Sequence, residues 1–185
     1  MSLLDLCQWL ATTNGSIALH ESIYIYPLVE SAHVLTLCVF VGSASMLDLR
    51  LLGLSFRRVP ARELARRLMP WMVVGFLVMI VTGALLSYAI PVRSYQSIFF
   101  RIKVVMLIMA GLNAWIFHVR SFRRVGEWNK AAVPPRAARV AGAASLILWA
   151  AIIIAGRMIA YNWFDCGRPQ PAWVNVAAGC IPVSQ

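Results

Sequence analysis

The stretch YPLVESAHVLTLCVFVGSASMLDLRLLG, Tyr26 to Gly53, decides the fold. It has the length and apolar content of a helix that crosses a membrane, because a hydrocarbon core of about 30 Å takes about 20 helical residues. It also carries Glu30 and His33 near one end and Asp48 and Arg50 near the other. Charged groups at such depth are costly and normally face the bundle or one another, so they have to be explained.

Working outward, three more apolar stretches are long enough to span: the four cover residues 27–50, 69–90, 98–119 and 138–161. The 185-residue chain is 61% hydrophobic and only 13% charged, with a mean hydropathy of +0.74, which excludes an ordinary soluble domain. The predicted fold is all-α: an integral membrane four-helix bundle with N-terminal interfacial helices. Residues 1–26 read as external amphipathic pre-helices, 27–161 as the bundle and 162–185 as an external tail. The first segment lacks a basic n-region and a small-residue cleavage site, so it is expected to stay on the protein. It mixes apolar residues with Asp5, Gln8, His20 and Glu21 and breaks at TTNGS, which suits two short helices lying at the interface.

The net charge of +10 matters less than its placement. No Lys or Arg precedes Arg50. The first loop holds Arg50, Arg57, Arg58, Arg62, Arg66 and Arg67, and the third holds Arg120, Arg123, Arg124, Lys130, Arg136 and Arg139; these are twelve of seventeen basic residues. Basic loops stay cytoplasmic. Both termini are therefore expected outside, which points to a multi-pass protein of the bacterial inner membrane with periplasmic ends. The basic run after Pro60 suits anionic lipid head groups. No aromatic or Gly-rich platform accompanies it, so nucleic acid is not an expected partner. In an oxidising compartment Cys166 and Cys180 of the tail can bridge, with Cys7 a possible competitor. Cys38 reads as a small apolar residue inside the first span.

Helix direction sets depth at about 1.5 Å per residue. Glu30 and His33 fall in the outer third of the first span and share a helical face. Lys103 of the third span and Arg157 and Tyr161 of the fourth reach the same layer, with Thr82 and Tyr88 available from the second. Two readings stand: an outward-facing site with Lys103 or Arg157 as the counter-ion of Glu30, or a structural ion pair with snorkelling cations. An inner layer holds Asp48, Arg50, Asn113 and His118, and Asp–Arg pairing that pins helix ends explains it without chemistry.

Redox-active bundles hold b-type haem between histidines on different helices. The chain has three: His20, His33 and His118. His33 lies about 9 Å below the outer face and His118 about 30 Å from the start of its helix, so roughly 20 Å separates them and one iron cannot join both. Two arrangements remain. Either His20 folds over to meet His33, or each histidine holds its own haem with a Met or Lys opposite. Each histidine also has a plain reading as a hydrogen-bonded helix residue. Quinone is the other candidate cofactor: His33 or Tyr161 would donate to a carbonyl and Glu30 would carry protons. No pair of His or Cys at metal-ligand spacing and no hydrolase constellation appears. Small residues in the fourth span, Ala137, Ala141 and Ser145 beside Ala138 and Gly142, read as packing.

The segments Tyr26–Gly53, GLNAWIFH (111–118) and AGRMIAYNWF (155–164) resemble a family of small, uncharacterised bacterial inner-membrane proteins of four helices. In architecture alone the chain is also distantly similar to copper-resistance D-type membrane proteins and other haem-binding four-helix anchors. The first resemblance implies that Glu30, His33, Asp48, Asn113, His118 and Arg157 belong to the family's motifs, and it brings no activity with it.

Three functions fit these residues. The first is an electron-transfer membrane subunit, binding b-type haem or quinone near the outer face and coupled to an external redox partner, with Lys103 and Arg157 balancing negative charge. In this reading the protein is at most an electron-transfer subunit of an oxidoreductase. The second is a cofactor-free anchor or accessory subunit of a larger complex. The third is a small-molecule or ion transporter, for which no internal repeat speaks.

Overall fold

A computed structural model describes residues 2–120, 125–129, 133–161, 166, 169 and 171–180. Arg123, Arg124, Lys130 and much of the expected tail lie outside these. The described residues are helical, with no strand among them: α1 (Leu3–Ala11), α2 (Asn14–Glu21), α3 (Ile25–Leu52), α4 (Ala61–Ala89), α5 (Pro91–Gln96), α6 (Ile98–Arg120), α7 (Val125–Trp128), α8 (Arg136–Tyr161) and α9 (Ala172–Ala178). Of these, α3, α4, α6 and α8 are long and apolar enough to cross a membrane, so the chain is a multi-pass membrane protein.

Several helix starts have a local cause. Ser2 and Asp5 form a capping box on α1, and the Ser2 hydrogen bonds hold the Asp5 carboxyl below its usual range. The Thr13 side chain caps α2 by accepting from the Ser16 N–H. The Ser22 hydroxyl accepts from Ile25 N–H at 3.0 Å at the head of α3. Proline opens α5, where a missing N–H costs nothing.

The second span differs most from expectation, beginning at Ala61 where hydropathy suggests residue 69. The basic turn is the first part of the same helix. Glu63 pairs with Arg66 (2.9 Å) and Arg67 (2.7 Å) three and four residues on, spacings that support a helix. Asn129 completes the start, its carbonyl accepting from Ala61 N–H (3.2 Å) and its side chain from Arg62 N–H (2.8 Å). Pro70 sits inside α4 and removes one backbone donor, which membrane helices tolerate when neighbours re-satisfy the freed carbonyl.

The chain divides into two compact units, and each long helix contributes a segment to both. The central unit comprises residues 34–79 and 106–152. Its core gathers Phe40, Met79, Ala110, Trp149 and Ile152. The Phe40 ring meets Trp149 edge-on at 4.7 Å and Phe76 at 5.5 Å between centroids. In lipid no hydrophobic force drives helices together, so close packing through small residues has to do it. A Cβ on Gly75 would lie 3.3 Å from Phe40 Cβ, and one on Gly142 would lie 3.1 Å from the Asp48 carbonyl. Leu35, Val74, Leu77, Ile108 and Ile147 are exposed, as lipid-facing positions are.

The terminal unit comprises residues 1–33, 80–105 and 153–185. Here α1 packs on α5. The Tyr88 hydroxyl bonds Thr13 at 2.8 Å, and Ser16 donates to the Tyr88 carbonyl at 2.8 Å, tying α2 to the end of α4. Arg101 holds α9: its fork donates to the carbonyls of Ala177 (2.6 Å) and Ala178 (2.9 Å), its Nε donates to Tyr95 (3.0 Å), and the guanidinium lies 4.6 Å from the Tyr95 ring centre. A cation at a helix C-terminus meets both the orphan carbonyls and the dipole. Cys166 and Cys180 are joined by a disulfide. Cys7 and Cys38 are thiols, and burial pushes the Cys7 thiol up.

Candidate functional site

In the terminal unit, His33 of α3 turns toward α4. Its Nδ1 lies 2.9 Å from the Thr82 hydroxyl, which is buried. The next residue of α4 is Gly83, where a Cβ would come within 3.2 Å of His33 Cε1. One helix therefore supplies both the partner that orients the imidazole and the gap that admits it. Orientation of a ring by a hydrogen bond to one nitrogen is the usual way of setting its tautomer.

Lys103 enters from α6 and rests on α8, its Nζ only 3.5 Å from where a Cβ on Gly156 would stand. Among the described residues, no carboxylate and no hydrogen-bond acceptor meets that ammonium. Glu30 is exposed and pairs with neither Lys103 nor Arg157, contrary to the expected counter-ion arrangement. Arg157 instead stays on its own helix, stacking on Tyr161 (5.2 Å to the ring centre), with Nη2 3.4 Å from the hydroxyl one turn later. An i, i+4 partner on the same helix is available without any rearrangement of neighbours.

His20 is exposed on α2, edge-on to the Tyr26 ring at 6.2 Å. With Glu21, Arg93, Ser16 and Pro91 it lines an open groove of about 360 Å³. His118 is exposed on α6 in the central unit, whereas His20 and His33 belong to the terminal one. Among the described residues no three His, Cys, Asp or Glu side chains gather at metal-binding distance.

In the central unit Asp48 and Arg50 do not form the expected pair. Two residues apart on a helix they point about 200° apart. The Asp48 carboxyl, buried, meets the Ser145 hydroxyl of α8. Arg50, fully buried, donates to the carbonyls of Val59 (2.8 Å) and Asn129 (3.4 Å), so it fastens the loop after α3 to the residue that follows α7 and caps α4. Asn113 donates from Nδ2 to the Ala141 carbonyl at 3.0 Å, joining α6 to α8. Arg101 and Asn129 are the residues sequence reasoning missed. Arg101 had one visible signal, a cation in the first turn of a helix where the dipole disfavours it unless another partner is near.

Residues 11–162 match a family of unknown function (DUF6644). The chain belongs to that family. No curated protein and no solved structure matches it. The family match accords with the first of the two resemblances and carries no activity; the likeness to copper-resistance D-type proteins and haem-binding anchors finds no support beyond the four apolar helices.

Proposed function

We propose that this protein is a membrane subunit in electron transfer, holding one redox cofactor, quinone or b-type haem, beside His33 in the terminal unit. Both termini would lie on the periplasmic side of a bacterial inner membrane, within reach of an external redox partner. The observation that carries the reading is Lys103: a cation in a membrane-crossing helix, with no protein anion or acceptor at its ammonium among the described residues. Charges at that depth are normally paired. A quinone carbonyl or a haem propionate supplies the missing oxygen, and the oriented imidazole of His33 supplies a donor or an axial ligand in the same unit. For haem, His20 is the second histidine of that unit and His118 is not in it. Exposed Glu30 would hand on protons.

The test is the full-length protein purified in mild detergent. Its absorption is compared air-oxidised and dithionite-reduced, and bound quinone is extracted and quantified. A Soret band with a sharp reduced α band, or stoichiometric quinone, is expected, with loss of either in Lys103→Met at unchanged helicity. Absence of both from the wild-type protein overturns the proposal.

A second reading, a cofactor-free anchor or accessory subunit, is favoured by α9. Held by Arg101, it presents Trp173 and Val176, 60% and 82% exposed, as an apolar surface. In that case His33→Ala leaves the assembled complex fully active.

A further inference from the structure

Asp48 is shielded to all but 6% of its surface, and its Oδ2 has no hydrogen-bond partner among the described residues. The side chain facing it across the helix contact is Ser145, a neutral hydroxyl on α8. Gly142, one turn earlier on α8, brings that helix so close that a Cβ would sit 3.1 Å from the Asp48 carbonyl, leaving no side chain there to serve as a donor. Among the described residues no ion pair forms on the carboxyl. Arg50, the nearest cation in sequence, directs its guanidinium to the Val59 and Asn129 carbonyls. A helix-pinning role is thus not what the geometry shows: the residue that pins is Arg50.

A buried carboxylate oxygen without a donor leaves a full charge uncompensated in an apolar surrounding, which proteins avoid. A cation of the sodium type needs a cage of several oxygens, and Asp48 and Ser145 offer few. A proton needs one oxygen, and Oδ2 is the one left over. We propose that Asp48 is a proton-binding site of the central unit, carrying one exchangeable proton on its carboxyl with Ser145 as its hydrogen-bond partner. It stands four residues before the end of α3 at Leu52, about 6 Å along the axis, so the proton is one helical turn from the connecting loop. Ionisable side chains at this depth commonly serve proton relays. The inference does not depend on any cofactor in the terminal unit.

The experiment uses the full-length protein in lipid vesicles at neutral pH. Dicyclohexylcarbodiimide, which partitions into the bilayer, reacts with a protonated carboxyl. The acid proton passes to a carbodiimide nitrogen, the carboxyl oxygen adds to the central carbon, and acyl migration to nitrogen leaves a stable acylurea on the side chain. Peptide mass mapping is expected to find the adduct on Asp48, at equal yield with or without sodium. It should be absent in Asp48→Asn. In infrared difference spectra against the wild type, Asp48→Asn should lose one protonated-carboxyl stretch, and Ser145→Ala should retain that stretch at a shifted frequency. If Asp48→Asn fails to fold, the wild-type mapping and Ser145→Ala spectrum decide alone. An unlabelled Asp48 with no such stretch shows an ionised carboxylate and overturns the proposal. Labelling suppressed by sodium overturns it in favour of a metal-cation site.

Discussion

Replacing Phe40 by alanine tests how this bundle is held together. In a water-soluble core, Phe→Ala costs about 3–5 kcal/mol, of which a large part is transfer of the ring out of water. In a bilayer that part largely vanishes, because lipid tails are as apolar as the core. What remains is contact. The Phe40 ring touches Trp149 and Phe76 in aromatic geometry, and each such pair is worth about 0.5–1.5 kcal/mol beyond its buried area. Gly75, packed against Phe40 Cβ, has no side chain to move into the space, so the void persists. The expected loss is about 2–3 kcal/mol, roughly a 30- to 150-fold shift in the folding equilibrium. The assay is reversible unfolding in mixed micelles with increasing sodium dodecyl sulfate, followed by tryptophan fluorescence. Leu77→Ala is the control: that residue is of similar hydrophobicity but 56% exposed, and its truncation should cost under about 0.5 kcal/mol. Equal losses for the two variants, or a Phe40→Ala loss below that of Leu77→Ala, would refute the view that internal packing rather than general apolarity stabilises the unit.

Gly83→Val should drive a methyl into the His33 ring, separate it from Thr82 and destabilise the fold by about 1–3 kcal/mol, as read by the same titration. Gly111→Ala is expected to do the reverse: space around it is open, and the gain in helix propensity is roughly 0.5–1 kcal/mol. Arg101→Gln removes charge-assisted bonds worth about 1.5–3 kcal/mol each, so amide exchange across Ala172–Ala178 should accelerate at least about tenfold while exchange around Phe40 stays constant. Reduction of the Cys166–Cys180 bridge, which closes a sequence separation of 14, should loosen the tail by about 3 kcal/mol and expose it to protease without shifting the Phe40 titration.

The spans were legible because hydropathy over about 20 residues is a coarse signal that survives local detail. The start of α4 was not. Arg62, Glu63, Arg66 and Arg67 lower the apolar average, although Glu63 spaced three and four residues from its arginines was a helix signal in its own right. Depth reasoning placed Thr82 within reach of His33, because helical rise converts residue number into height. It did not give azimuth. Glu30 and His33 share a broad face of α3, yet Glu30 is exposed while His33 meets α4, and Arg157 finds its partner on its own helix. Ser145 read as a packing residue, and only a neighbouring helix made it the partner of Asp48. Contacts to backbone carbonyls, such as those of Arg50 and Arg101, leave no mark in the partner's residue type.

The two units differ in when synthesis can complete them. The central one draws on nothing beyond residue 152, and it consists of two continuous stretches of chain. The other draws on residues before 34, between 80 and 105, and from 153 on, and in it Arg101 seats α9 by donating to the Ala177 and Ala178 carbonyls. Every segment of the Phe40 core thus precedes the last part of α8 in the chain. His33 can meet Thr82 once α4 is made, whereas Lys103 gains its neighbour Gly156 only with the later part of α8.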